Sequence, residues 1–134
     1  NRLAPLVAAL GKANIRVSMF VEPAKEQLDA ARALGAPVVE LHTGAYANAT
    51  GAARAAELAR IRDAANHGVR LGLQVHAGHG LTFDNVGPIA AIQQIVELNI
   101  GHFLIGEAIF VGLDASIREM RRLMDIGRGE AIGA

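Results

Sequence analysis

Four histidines are the residues of this sequence best suited to chemistry. His79 lies between two glycines in the stretch VHAGHGLTF, and His102 follows a glycine in NIGHF. His42 and His76 come at the ends of other apolar runs. Histidine titrates near neutral pH, so these side chains can transfer protons, and their neutral rings can bind metals. What they do depends on which elements bring them together.

The glycines beside two of these histidines are typical of an anion site. Glycine has no Cβ, so backbone N–H groups at Gly80 and Gly101 can come close to a phosphate. A helix that begins after such a loop adds partial positive charge, and both loops lead towards a predicted helix. Two such elements favour a phosphoester ligand. Alternatively, the glycines only make tight turns and the histidines cap carbonyls, and the pattern by itself leaves both interpretations open.

Glu40 is the most informative carboxylate, because it lies inside the apolar run VVELH. Burying an isolated charge is costly, so a buried carboxylate must be paired, hydrogen-bonded or protonated. One interpretation is an ion pair inside the fold with a base such as Arg16. The other is a proton donor or acceptor whose pKa is tuned by its surroundings.

A metal site would be another use of clustered histidines. His76 and His79 lie close together in HAGH, and His42 and His102 could be near them. Zinc usually requires ligands fixed on regular elements and supported by carboxylates, so we expect no metal here. The fifth histidine, His67, is predicted at the C-terminal end of a helix, where a cation suits the helix dipole, and we interpret it as structural.

The chain alternates between predicted strands and helices. Apolar residues at helical spacing predict helices over residues 2–10, 24–34, 52–68, 84–95 and 114–124. The last of these should turn Ile117, Met120 and Leu123 or Met124 inward. Short β-branched or alternating runs predict strands over residues 15–21, 38–42, 70–75 and 96–100. TGAYANATG has the composition of a loop, and periodicity leaves GHFLIGEAIF undecided between a strand and a short helix.

Strand followed by helix, four times, predicts parallel strands joined by helical crossovers. Either a small open sheet or part of a (β/α)8 barrel would fit. A strand buried on both faces should be almost wholly apolar, yet Glu40, Gln74 and Glu97 put polar groups on one face of three strands. This favours a barrel interior. A barrel takes about 250 residues, so a chain of 134 predicts that further sequence or a partner closes the sheet.

The composition excludes several classes of function. Hydrophobic residues make up 51% and charged residues 19%, which is typical of a globular protein. Thirteen basic residues balance thirteen acidic ones, so no net field attracts nucleic acid or a membrane. Without cysteine there are no disulfides or thiolate metal sites. No apolar run reaches the roughly 18 residues of a membrane helix and no leader opens the chain, which favours a cytoplasmic protein.

Several strings, agreeing in order and spacing, give the chain a resemblance to a known family. VVELHTGAYA, AGHGLTFDNV, ELNIGH and FVGLDASIREMRRLM resemble the C-terminal half of the pyridoxine 5′-phosphate synthases, the last enzymes of a route to vitamin B6. The resemblance implies a (β/α)8 TIM barrel in a homo-oligomer, typically an octamer. Residues 1–134 would be half of that single domain and supply its last four strand–helix units.

The resemblance also implies an activity. Members condense 1-deoxy-D-xylulose 5-phosphate with 3-amino-2-oxopropyl phosphate to give pyridoxine 5′-phosphate, inorganic phosphate and water, without a metal or organic cofactor. By position, His79 corresponds to the proton donor and Glu40 to the residue that stabilises the transition state. Gly80, Gly101 and His102 correspond to residues that bind substrate or phosphate.

The family's remaining catalytic motifs have no counterpart in this sequence. They include an Asp-His element and a His-x-Arg element, which lie in the N-terminal half of the members. We therefore expect a truncated synthase that is inactive by itself. The rival hypothesis is a half barrel that binds a phosphoester without catalysis.

Overall fold

The computed structural model describes residues 2–129, which contain four strands and seven helices. In chain order these are α1 (Ala4–Lys12), β1 (Ser18–Val21), α2 (Lys25–Ala33), β2 (Val38–His42), α3 (Gly44–Asn48), α4 (Gly51–Arg70), β3 (Gln74–Gly78), α5 (Val86–Ala90), β4 (Ile95–Asn99), α6 (His102–Val111) and α7 (Leu113–Arg128). No helix within this range is long and apolar enough to cross a membrane.

The four strands form one parallel sheet in the order β1-β2-β3-β4, so each strand pairs with its neighbours in the sequence. In register, Phe20 lies beside Glu40, Glu40 beside His76, and His76 beside Glu97. Sequential parallel strands joined by helices are the repeating unit of a (β/α)8 barrel. The predicted α/β fold is confirmed, with four such units in this chain.

One face of the sheet is packed under helices and forms the core. Val39, Leu41, Val75 and Ala77 alternate along β2 and β3 and are fully buried on this face, together with apolar residues of α2 and α4. Successive strand residues point to opposite faces, so the residues between them share the other face.

The other face carries the polar residues that the alternation predicted. It includes Glu40 and His42 of β2, Asn99 of β4 and, on β1, Phe20, whose side chain is 57% exposed. In a closed barrel this face would be the interior.

The stretch TGAYANATG contains a helix, α3, where the sequence predicted a loop. Tyr46 anchors it: the ring is buried, and the hydroxyl donates a hydrogen bond to the carbonyl of Asn85 at 2.7 Å. Burial also raises the pKa of this hydroxyl, which therefore keeps its proton as a donor. Composition alone missed α3 because tertiary contacts hold it, including those from Arg54 of α4 to the carbonyls of Ala47 and Ala49. The undecided stretch GHFLIGEAIF is also helical, as α6.

The predicted end of α4 at Gly68 is wrong, and the helix continues to Arg70. Gly68 is buried, and a Cβ there would lie 2.8 Å from Val75 Cγ2, so this glycine allows α4 to pack closely on β3. The chain turns instead at Gly72, whose φ of +76° favours glycine. This moves β3 four residues beyond its predicted start. His67 lies inside α4, with Nε2 2.7 Å from Asp29 Oδ1 of α2.

The helix predicted to run to Ile95 ends at Ala90, and Ile95 opens β4. Arg128 of α7 explains the break, since its guanidinium donates to the carbonyls of Ala90, Ile92 and Ile95 at 2.9–3.0 Å. Carbonyls left without helical partners are thus satisfied by a side chain distant in sequence.

The inward face predicted for α7 is correct only in part. Met120 is buried, and Leu123 and Met124 are partly buried. Ile117, however, is 49% exposed, so its predicted inward position is wrong. The helix packs against α5 and α6 through a narrower stripe than its apolar residues suggest.

Candidate functional site

A cavity of about 450 Å³ lies at the carboxyl ends of β3 and β4. In parallel α/β proteins these strand ends are where ligands bind. All five site residues selected from the sequence line it: Glu40, His79, Gly80, Gly101 and His102. The remaining lining residues are Phe20, Leu81, Thr82, Asn99, Ile100 and Phe103. The five selected residues are up to 62 positions apart in the sequence, from Glu40 to His102, and the structure brings them to one cavity.

His79 has an unusual backbone conformation. Its φ is +83°, and Gly80 follows with a φ of +76°. A residue with a side chain in the left-handed region costs about 1–3 kcal/mol and persists only where its surroundings enforce it. Such strain clusters at functional sites, and here it falls on the residue selected as the proton donor.

Thr43 supplies the contacts that enforce this conformation. It is fully buried directly after β2, and its Oγ1 lies 2.7 Å from the carbonyl oxygen of Gly78 and 2.6 Å from that of His79. Its backbone N–H also donates to Gly78 at 2.9 Å. The sequence reasoning missed Thr43, because the loop it holds lies 35 residues further along the chain.

The ring of His79 packs against the ring of His42. Their ring centroids are 4.8 Å apart and their ring planes are inclined by 59°. Phe20 lies edge-on to His42, with 5.1 Å between the ring centroids. Gly44 leaves room for this contact: a Cβ there would lie 2.7 Å from Nε2 of His42 and 3.2 Å from Cδ2 of His79. Sequence reasoning put His42 at a strand end but gave it no role.

The other side of His42 faces a carboxylate. Its Nδ1 lies 2.9 Å from Oε1 of Glu22, the residue that follows β1. The hydrogen bond with His42 is the largest cause that lowers the pKa of Glu22. Glu22 is therefore ionised over a wider pH range than a free glutamate.

Glu40 is half-buried on the open face of β2, where its Oε2 accepts a hydrogen bond from Asn99 Nδ2 at 2.8 Å. The proposed ion pair with Arg16 is wrong, since the Arg16 guanidinium donates to Gln74 at 3.1 Å. Gly78 lies near this carboxylate on the adjacent strand β3. A Cβ on Gly78 would overlap Glu40 Oε1, so the glycine is needed for the side chain of Glu40 to take this position.

The four histidines do not converge on one point. His42 and His79 are in contact, and His102 lies across the cavity at the start of α6. His76 is buried in β3 and is not part of the cavity lining; its Nδ1 is 3.2 Å from Glu97 Oε1. Within residues 2–129, no group of His, Cys, Asp and Glu is arranged to hold a metal ion.

The two glycine loops lead into helices at different distances, as the predicted helix start at residues 84–85 indicated for the first loop. Gly101 immediately precedes α6, a helix of ten residues, so the first N–H groups of α6 open at the cavity. After Gly80 the helix α5 begins only at Val86. The intervening loop is closed by Asn85, whose side chain accepts from Thr82 N at 2.8 Å and donates to Gly80 O at 3.3 Å.

Side-chain cations of the lysine or arginine type are missing from the cavity lining within residues 2–129. A Cβ on Gly101 would have no atom within 4 Å, whereas one on Gly80 would lie 2.8 Å from Ala47 Cβ. The start of α6 thus offers open space beside N–H donors and a positive helix end, which is the chemistry that an anion requires.

Comparison with known proteins gives consistent matches over almost the whole chain. Residues 1–126 match the family described as pyridoxal phosphate biosynthesis protein PdxJ. The chain is 65% identical over 124 residues to a protein of Rhodospirillum rubrum named pyridoxine 5′-phosphate synthase, covering 92% of this chain and 50% of that protein. A protein of the same name from Zymomonas mobilis is 62% identical over 130 residues, 97% of this chain and 51% of its own length.

The chain spans about half the length of these relatives. A third protein of that name, from a Jannaschia species, is 58% identical over 132 residues and shows the same proportion, with 53% of its length covered.

Proposed function

Since this chain belongs to the PdxJ family, we propose that it forms the C-terminal half of the catalytic barrel of a pyridoxine 5′-phosphate synthase. The observation that supports this most is the cavity at the strand ends, because it is lined by all five residues that the resemblance selects. The reaction would join 1-deoxy-D-xylulose 5-phosphate to 3-amino-2-oxopropyl phosphate and release phosphate and water.

His79 would donate protons to leaving oxygen atoms during elimination and ring closure. Its ring lines the cavity and is exposed to it, as a proton donor to a substrate must be. The amine of the substrate would form the imine, so no lysine nucleophile is needed. Consistent with this, Lys12 and Lys25 are exposed on α1 and α2, outside the cavity.

Glu40 would stabilise positive charge that develops on the imine nitrogen. Its carboxylate lines the same cavity as His79 and is oriented by the amide of Asn99. A fixed carboxylate acts without reorganisation when charge appears, which is the source of most electrostatic catalysis.

The start of α6 would bind a substrate phosphate. Gly101 gives it access to the N–H groups of the first turn, and His102 adds a donor at the helix start. Gly80, on the opposite loop, would contact the same ligand. We propose no metal and no organic cofactor for this reaction. From the family resemblance we propose a cytoplasmic homo-oligomer, typically an octamer, without nucleic acid or membrane partners.

The test is synthase activity in a full-length protein that carries this chain. With both substrates supplied, we expect pyridoxine 5′-phosphate to be detected by chromatography. The His79→Asn variant should lose about 10²- to 10⁴-fold in kcat with a smaller change in KM. The matched control is His67→Asn, which alters a histidine on α4 that contacts Asp29 rather than the cavity. A folded full-length protein that makes no product would disprove the assignment.

The rival function is phosphoester binding without turnover. It is favoured by one observation, that the anion-binding features lie within this chain while the chain spans half of its relatives. Titration of the 134-residue chain with inorganic phosphate, followed by ³¹P NMR, would test it. Saturable binding by this chain, together with no turnover by the full-length protein, would favour the rival.

A further inference from the structure

A carboxylate–histidine pair lies directly behind the proposed proton donor. Glu22 and His42 come from the ends of β1 and β2, and neither lines the cavity. His42 nevertheless touches His79, with ring centroids 4.8 Å apart. The pair therefore lies behind two residues of the cavity lining, because His42 contacts both His79 and Phe20.

The loop that carries His79 offers its ring little support of its own. The flanking residues are Gly78 and Gly80, which have no side chains to pack against it. The rings of His42 and Phe20 lie beside it instead, at 4.8 Å and 6.5 Å between centroids. The orientation of the donor ring thus depends on residues from the two preceding strands.

Glu22 fixes both the orientation and the tautomer of His42. A carboxylate accepts only, so Nδ1 of His42 must carry a proton in the 2.9 Å contact. The second nitrogen, Nε2, is on the side where His42 and His79 approach each other around Gly44.

The charged groups around this pair come from several elements. The second oxygen of Glu22 is 3.5 Å from Arg60 of α4, and Arg60 is held by Glu57 at 2.7 Å. On the side of the cavity, Glu40 and His102 face His79 from β2 and α6. Within residues 2–129, Glu22 is the only carboxylate that forms a hydrogen bond with His42.

We propose that Glu22 and His42 are positioning residues for His79. Glu22 fixes the ring of His42 by a hydrogen bond, and the ring of His42 packs against the ring of His79 and holds it in place. The inference rests on the proposed role of His79 as proton donor. It adds a carboxylate–histidine pair, acting through ring contact, to the residues expected from the family resemblance.

The experiment compares kcat and KM in the full-length protein and in His42→Phe. Phenylalanine keeps a ring against His79 but removes Nδ1 and with it the hydrogen bond to Glu22. We expect kcat to fall about 10- to 100-fold with KM nearly unchanged, because a ring that Glu22 no longer fixes cannot hold His79 in its reactive orientation.

Glu22→Gln tests whether the carboxylate acts through His42. It should lower kcat in the native background and have no further effect in His42→Phe, since a double-mutant cycle detects only coupled residues. Glu22→Asp should restore part of the activity. The matched control is Glu57→Gln, which removes a carboxylate that contacts Arg60 but not His42. An additive cycle would overturn the proposal.

A readout without turnover separates this inference from the proposed function. Histidine ring NMR of the full-length protein reports the packing of His79 through the chemical shifts of its ring protons, with the His79→Asn spectrum as assignment. We expect those shifts to move in Glu22→Gln, even if the protein makes no product, and to stay in place in Glu57→Gln. Unchanged His79 shifts in Glu22→Gln would overturn the inference whether or not synthase activity is found. If His42→Phe does not fold, Glu22→Gln gives the deciding measurement, because Glu22 is a half-exposed surface side chain.

Discussion

The two loops that enclose the cavity are built in different ways. The loop after β3 is held by many side chains: Thr43 binds two of its carbonyls, Asn85 closes it, and His42 packs on the ring of His79. The turn after β4 has less support within residues 2–129: no side-chain cap holds Gly101 at the start of α6, and Phe103 packs edge-on against Phe83. The proposed proton donor would have to be fixed to within a fraction of an ångström, whereas N–H groups at a helix start are already oriented by the helix.

The difference extends to the helices behind the loops. Helix α4 buries Ile61, Ala64 and Ala65 in the core. Helix α6 has no fully buried residue, and Ile109 and Phe110 are 79% and 84% exposed. The β3 side of the cavity is therefore stabilised by contacts within residues 2–129, and we expect the β4 side to depend on contacts made by more of the protein.

Among substitutions that keep the proposed catalytic side chains, the largest effect should come from Gly78→Ala on the well-supported side. The new Cβ would overlap the carboxylate of Glu40 and lie 2.7 Å from the carbonyl oxygen of Asn99. We expect kcat in the full-length protein to fall about 100-fold, equivalent to about 2.7 kcal/mol, because Glu40 must move. Gly106→Ala in α6, which meets no atom within 4 Å, is the control and should be neutral or slightly stabilising. Equal activities would show that the position of Glu40 is unimportant.

Thr43→Val should cost less but would show what enforces the strain at His79. Valine has the shape of threonine without the hydroxyl, so the carbonyls of Gly78 and His79 lose a buried donor. We expect the free energy of unfolding to fall by about 1–3 kcal/mol, measured by urea denaturation. Thr50→Val, at an exposed threonine without a side-chain cap bond, is the control. A variant as stable as the native protein would argue against Thr43 as the anchor.

Gly101→Val tests the less supported side of the cavity, where we expect ligand binding rather than protein stability to change. The side chain has open space in the structure, so we expect normal folding. It would occupy volume beside the N–H groups of α6, and we expect the KM for a phosphate substrate to rise at least about tenfold. Gly80→Val is no substitute, since its φ of +76° would strain the fold as well. A normal KM in Gly101→Val would remove this turn from the phosphate site.

The smallest effect should be the pH dependence of stability due to Glu22. Its hydrogen bond from His42 lowers its folded pKa below the ordinary 4.5. The stabilisation is therefore complete above pH 4.5 and is lost as pH falls through the folded pKa. Glu22 is about half exposed, so Glu22→Gln should cost only about 0.2–1 kcal/mol near pH 6. That difference in the free energy of unfolding should vanish in strong acid, as measured by urea denaturation at several pH values. A difference that grows in acid would show that the folded pKa of Glu22 is not lowered.

Local patterns in the sequence determined the strand–helix alternation and the positions of the site residues. β2 was predicted with its correct bounds because VVELH is short, apolar and β-rich. Parallel strands bring their carboxyl ends to one edge, so placing Glu40, His79 and His102 near those ends was enough to predict that they meet. The glycines beside the histidines indicated the loops, because the backbone freedom of glycine depends on the residue type alone and not on its tertiary contacts.

The tertiary structure alone decided the contacts that position those residues. Thr43 bonds to the loop of His79, Glu40 to Asn99, and Arg128 ends α5, each across more than 30 residues of chain. The sequence left open an ion pair between Glu40 and Arg16 as one of two interpretations, and in the structure Arg16 donates to Gln74 instead. Hydrogen-bond partners and close packing depend on distances between elements, and no local period or composition contains those distances. The sequence therefore determined which groups are present at the site, and the packing of β1 to β4 decided which of them touch.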